Sequence, residues 1–240
     1  MNSVALLIIG NEIITGKVRD ENGYHAALHL RRAGVQLCEI RAIADAADAI
    51  VRSLTELLSL YPWVITSGGL GPTHDDITIP AIARALGEQI MLNQEMITYL
   101  KKGYGEKYNE SVEKMAWLPE KAGLIRSPGG EWPLIRCDRV FLLPGVPILF
   151  RKKIMKVCEI LAGTPVFLRE LLLKLDESEI AAELTAVNDK YADVEIGSYP
   201  VWGQECYHVR LTFESLNQEN ANRAADEFLG RFPDGILYTI

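Results

Sequence analysis

The sequence predicts an α/β fold: a mostly parallel, doubly wound sheet flanked by helices, followed by a small α+β domain. Three observations predict it. Short apolar runs alternate with helical stripes over the first two thirds of the chain. Glycine- or proline-rich turns follow three of those runs. After Gly163-Thr164-Pro165, which reads as a linker, the order becomes β-α-β-β-α. The expected domains are therefore residues 1–163 and 164–240.

The elements follow in turn. Val4 to Ile9 is an unbroken apolar run, as a strand buried on both faces requires. Asn22 to Ala33 reads as a helix, with Ala26, Leu30 and Ala33 on one face, His25, His29 and Arg32 on another, and Gly34 as its stop. Val35 to Ile43 is the next strand. A helix starts near Asp45, and its stripe is Ile50, Leu54, Leu57 and Leu58. Trp63 to Thr66 is a buried strand. Thr78 to Leu86 is helical and stops at Gly87, and Asn93 caps another helix. Arg139 to Leu143 is a later strand, and Pro147 opens a helix reaching Leu161. In the second domain, strands at Val166–Leu175, Val194–Tyr199 and Cys206–Phe213 combine with helices at Glu177–Tyr191 and Asn217–Leu229.

Composition bounds the function. With 48% hydrophobic and 24% charged residues, the chain can build a folded core. A net charge of −7, with no basic run longer than Arg151-Lys152-Lys153, disfavours nucleic-acid binding, which needs clustered cations. The first apolar run is too short for a membrane span and lacks the pattern of a secretory signal, so a cytoplasmic protein is expected. Cys38, Cys137, Cys158 and Cys206 show no metal-ligand spacing and read as buried thiols.

Three turns share one architectural position. Gly10-Asn11-Glu12, Ser67 to Asp76, and Pro144-Gly145-Val146-Pro147 each follow a strand. If those strands are parallel, all three turns meet at the carboxyl edge of the sheet, where open α/β sheets bind ligands. Gly68, Gly69 and Gly71 allow the backbone to approach a ligand closely, Pro72 stiffens the exit, and the helix near Thr78 adds a positive dipole end. The loop is neither a Walker A nor a dinucleotide GxGxxG motif. A tight strand-to-helix turn explains the glycines equally well. Asp75 and Asp76 shift the reading, because carboxylates beside a phosphate cradle require a cation between them. Glu12 and Asp45 are further acidic candidates, with a solvated loop charge and helix capping as their alternatives. His74 lies between the glycines and the carboxylates and is either a proton carrier or an exposed loop residue. Lys114 offers phosphate neutralisation or a solvent-facing charge.

Gly10-Asn11-Glu12-Ile13-Ile14-Thr15-Gly16, the Ser67 to Asp76 loop and Leu143-Pro144-Gly145-Val146-Pro147 together resemble the CinA N-terminal domain and the molybdopterin-binding proteins of the MoaB, MogA and MoeA type. Trp132 to Cys137 and Gly197 to Gly203 resemble the molybdopterin-binding-like region of FAD synthase. The resemblance implies a three-layer α/β/α domain binding an adenylylated or pterin-like phosphate compound. It implies phosphate contacts from Gly68, Gly69, Gly71, Pro72 and Thr73, with Gly10, Asn11, Gly145 and Val146 beside them. It implies catalytic roles for Asp76, Asp45 and Lys114, and a metal held by Asp75, Asp76, Asp45 and Glu12. The cofactor would be Mg²⁺, Mn²⁺ or Co²⁺, with a monovalent cation such as K⁺ as a further candidate.

The segment Ser127 to Leu134 departs from the CinA pattern, which weakens ADP-ribose as the particular substrate. With no residues after Ile240 for a deamidase or adenylyltransferase domain, the chain is not expected to synthesise FAD. The expected activity is metal-dependent hydrolysis of a nucleotide pyrophosphate of the FAD or ADP-ribose class, by a homodimer. The alternatives are a non-catalytic flavin-nucleotide or molybdopterin binding module, and adenylyl transfer to molybdopterin. Tyr199, Trp202 and Tyr207 are read as core or interface rather than ring-stacking residues.

Overall fold

The computed structural model describes residues 2–126, 132–203, 205–233 and 236–238. The chain forms two compact units, Met1–Gly163 and Thr164–Ile240.

In the first unit the strands are β1 (Asn2–Ile9), β2 (Val35–Ile43), β3 (Trp63–Ser67), β4 (Ile90–Leu92), β5 (Trp117–Pro119), β6 (Gly123–Ile125), β7 (Leu134–Cys137) and β8 (Val140–Leu143). The helices are α1 (Asn11–Ile14), α2 (Asn22–Arg32), α3 (Ala47–Leu60), α4 (Thr78–Leu86), α5 (Gln94–Tyr104), α6 (Glu110–Glu113) and α7 (Pro147–Leu161). The main sheet has the order β2-β1-β3-β8-β7-β6. β1 pairs in parallel with β2 and β3, and β3 with β8. β7 and β6 complete the edge antiparallel.

The apolar run of β1 divides between the two faces as period-2 geometry demands. Ala5, Leu7 and Ile9 pack with Ile50, Leu54 and Leu57 of α3 and Ile79 and Ile82 of α4. Val4, Leu6 and Ile8 pack on the other face with Ala26 and Leu30 of α2 and Phe150, Ile154 and Val157 of α7. This is the expected three-layer arrangement. The chain leaves β1 toward β2 on one side and toward β3 and β8 on the other, so the winding reverses at the β1/β3 boundary.

Local chemistry sets the ends of the helices. Gly87 closes α4 at φ 68°, with the amides of Gly87 and Glu88 bonded to the carbonyls of Arg84 and Ala83, a Schellman motif. The Asn93 side chain accepts from the Met96 amide at 2.9 Å. Asp45 is not the cap of α3. That place falls to Ala46, which offers no side-chain acceptor.

His25 and His29, on the polar face of α2, are half-buried, their rings stacked 6.1 Å apart. Two further expectations change. Of the four thiols, Cys137 and Cys158 are buried while Cys38 and Cys206 are exposed. Between Asn93 and Arg139 the sequence suggested one helix. The structure adds α6, the two-stranded β4–β5 sheet and the β6–β7 edge.

The second unit follows the order β9 (Phe167–Leu173), α8 (Glu177–Lys190), β10 (Glu195–Pro200), β11 (Val209–Ser215) and α9 (Gln218–Leu229). Its sheet is antiparallel, ordered β10-β11-β9, over a core that includes Leu171, Ile180, Leu211, Phe213 and Phe228. Asp176 and Glu179 form a capping box on α8. Tyr199 and Trp202 are exposed, Trp202 by 90%, so neither belongs to this core. Among the described residues no helix is long and apolar enough to cross a membrane.

Candidate functional site

The turns after β1, β3 and β8 meet at the carboxyl edge of the sheet because those strands run parallel. A cavity of about 650 Å³ opens there, within the first unit. That is within the usual range for small-molecule sites.

The β3 turn supplies Gly68 through Thr73, Asp75 and Asp76 to the lining. Two of its glycines are dictated by packing. Gly68 stands at φ 109°, and a Cβ there would lie 2.1 Å from the Ile9 carbonyl oxygen. Its amide is spent on the Leu143 carbonyl at 3.1 Å, so Gly68 ties strand ends together rather than offering a donor. Gly69, at φ 65°, has no room for a Cβ beside the Thr78 hydroxyl. Among the described residues the amides of Gly69, Leu70 and Gly71 make no backbone hydrogen bond. Both α4 and α7 begin here without a side-chain cap, and Val146 at the start of α7 lines the cavity with Gly145. Free amides and two helix N-termini make the edge hospitable to an anion.

Asn22, at the start of α2, brackets these turns. Its amide nitrogen donates to the Ser67 hydroxyl at 2.9 Å and the Gly145 carbonyl at 2.7 Å. A carbonyl cannot donate, so the nitrogen must face it. The buried Oδ1 is left without a partner, as is the hydroxyl of buried Thr78.

The four expected carboxylates all line the cavity, but each is engaged differently. Asp45 accepts from the Asn11 amide at 2.7 Å, and its own amide donates to the Asn11 side chain. Asp76 accepts from the Thr73 amide at 2.8 Å and its hydroxyl at 2.5 Å. Asp75 lies 2.6 Å from the same hydroxyl, which holds its carboxyl below the ordinary range. Glu12 stands on α1. Among the described residues no three His, Cys, Asp or Glu side chains are grouped to hold a metal ion.

Several expected contacts are absent. Gly10 and Asn11 do not line the cavity: Gly10 donates to Ile43, and Asn11 locks Asp45. Lys114 is exposed and away from the lining, at the start of a 3₁₀ turn. His74 is likewise exposed and outside the cavity. The Ser127 to Glu131 part of the divergent segment lies outside the described residues.

One residue was missed. Lys153 on α7 is 5% exposed and lines the cavity. Its ammonium donates to the Trp132 carbonyl. The signal was legible, since position 153 falls on the buried face formed by Phe150, Ile154, Val157 and Leu161. Met96, Tyr104, Met115, Trp132 and Ile135 also line the cavity, with the Tyr104 and Trp132 rings edge to face at 6.4 Å.

Residues 5–163 match the family model of the probable molybdopterin binding domain, and residues 165–240 match that of the FAD synthase middle domain. The chain is 31% identical to a probable FAD synthase of Caenorhabditis elegans, over 90% of this chain and 47% of that protein, so it spans about half its length. It is 34% identical to protein TK1472 of Thermococcus kodakarensis, covering 81% and 84% of the two chains. The crystal structure of CinA from Thermoplasma acidophilum, a protein of unknown function, superposes with a TM-score of 0.60 at 29% identity, covering 66% of this chain and 98% of that one. The chain belongs to the molybdopterin-binding domain family, joined to a second unit that matches the middle domain of FAD synthase.

Proposed function

We propose that the first unit binds a nucleotide pyrophosphate of the FAD or ADP-ribose class and hydrolyses it with a divalent cation. The supporting observation is the presence, around one cavity, of amides without a backbone partner, carboxylates and aromatic side chains. Gly69, Leu70, Gly71 and Val146 would orient the diphosphate, while Tyr104 and Trp132 would shield a ring from water. Likeness to FAD synthases supports a flavin nucleotide within this class.

The donor set fits Mg²⁺, Mn²⁺ or Co²⁺. Asp45 and Asp76 would hold the ion, with Asp75 and Glu12 beside them, and carboxylate oxygens suit hard cations. A single Thr73 hydroxyl proton lies between two carboxylates, a surplus of negative charge that a cation offsets. Because no three acidic side chains are grouped among the described residues, substrate phosphate and water would complete the coordination. When bound, such an ion activates water and offsets phosphate charge. A monovalent cation such as K⁺ would play a secondary, charge-balancing part.

AMP release from FAD and ADP-ribose, measured chromatographically with each metal, tests the reading. Asp76→Ala should abolish turnover, and the absence of AMP under every metal would overturn hydrolysis. The engagement of Asp45 and Asp76 in internal hydrogen bonds favours a second reading, a binding module without chemistry. It requires saturable binding that survives chelation, with no AMP formed.

A further inference from the structure

We propose that Asn22 is a positioning residue that makes the site prefer two linked phosphates to one. The proposal rests on the cavity being the nucleotide pyrophosphate site described above.

Two turns line the cavity with amides that make no backbone hydrogen bond among the described residues. The β3 turn offers those of Gly69, Leu70 and Gly71, and the β8 turn those of Gly145 and Val146. A single phosphate needs one of these turns. A diphosphate needs both at once, each facing the right way. The β3 turn is held by its own bonds, the Thr78 amide on the Gly69 carbonyl at 3.2 Å and the Gly68 amide on the Leu143 carbonyl at 3.1 Å. Neither bond reaches Gly145 or Val146.

Asn22 does. Its Nδ2 donates to the hydroxyl of Ser67, the last residue of β3, at 2.9 Å and to the Gly145 carbonyl at 2.7 Å. The residue is 5% exposed and its Oδ1 meets no described donor, so the side chain's protein contacts are the two that join the turns. The Gly145 carbonyl and the Val146 N–H belong to one planar peptide and point in opposite directions. Fixing the oxygen therefore fixes the direction of the Val146 donor. Asn22 lies outside the cavity lining and Val146 within it. The clasp is itself anchored, because the Asp20 carboxylate accepts from the amides of Asn22 and Gly23, each at 3.0 Å. Gly145 already abuts the β3 turn: a Cβ on it would lie 3.2 Å from the Gly68 Cα. Releasing the clasp thus lets the turns part and the Val146 peptide turn, while the β3 amides stay in place.

The test is calorimetric binding, at fixed Mg²⁺, of two probes that differ by one phosphate: AMP, and α,β-methylene-ADP, whose bridge resists hydrolysis. The intact native chain should prefer the diphosphate by about tenfold, the scale of one hydrogen bond to a charged group. Asn22→Leu keeps the branched shape and removes both donors. It should cut the preference to about twofold while leaving AMP within about twofold of native. Ser67→Ala removes one of the two clasp partners, should leave a preference of about threefold, and serves if the leucine variant fails to fold. A merely structural Asn22 would weaken both probes in parallel. That result, an unchanged ratio, or equal affinity for both probes in the native protein overturns the inference and leaves the site standing. Native protein that saturates with neither probe overturns the site as well.

Discussion

Replacing Gly68 with alanine tests how tightly the β3 turn is built against the rest of the sheet. Two costs apply. The residue stands at φ 109°, where an L-residue loses about 1–2 kcal/mol. The new methyl would also lie 2.1 Å from the Ile9 carbonyl oxygen, a backbone atom at the end of a strand buried from Val4 to Ile9. Relieving that overlap requires the turn or β1 to shift, at a further cost of about 1–3 kcal/mol. The total is about 2–5 kcal/mol, against a total domain stability of about 5–15 kcal/mol. Gly16→Ala is the control, because Gly16 has φ 70° and nothing within 4 Å of its Cβ position. It should lose only the conformational part. Urea unfolding followed by tryptophan fluorescence reads the difference, since Trp63, Trp117 and Trp132 report on the first unit. If the two variants differ by less than about 0.5 kcal/mol, the steric reasoning is refuted.

Two other outcomes follow from titratable groups. Burial pushes the Cys137 thiol up to about 12, with Glu88 adding to the effect, and burial pushes Cys158 up to about 11. At pH 8 an aromatic disulfide reagent should label Cys38 and Cys206 quickly, and label all four cysteines only after unfolding. Fast modification of Cys137 in the native protein would contradict its placement. In the second unit, hydrogen bonds from Lys190, Tyr191 and Arg231 hold the Glu227 carboxyl at about 2, below its ordinary 4.5. A depressed carboxylate contributes stability above its unfolded value and loses it as pH falls through the folded one. Glu227→Gln should therefore flatten the decline in stability between about pH 4.5 and 2, read from urea melts across that range. A parallel decline in variant and native protein would refute the assignment.

The sheet was legible in the sequence wherever hydrophobic period and punctuation agreed. Val4 to Ile9 could only be a doubly buried strand, and the Thr78 and Pro147 helices carry their own stop and start signals. The β6–β7 edge was not legible, because strands of three and four residues leave too short a pattern to separate from a loop. The site divides the same way. The Gly68 to Asp76 loop announces itself by composition, but what each amide does depends on long-range pairing: Gly68 to Leu143, Asn11 to Asp45. Lys114 stood out as a lysine in a family pattern and is solvent-facing. Lys153 was hidden in a basic triplet that looks like surface, until its helical phase is counted.

The Asn22 bracket joins segments 45 and 123 residues away in the chain through one primary amide. The order of the first turn of α2 and the spacing of the β3 and β8 turns are therefore coupled. Loosening the first turn of α2 removes one of the ties between the β3 and β8 turns, the other being the Gly68 amide on the Leu143 carbonyl. No residue of α2 lines the cavity, yet its first residue ties together two of the turns that do.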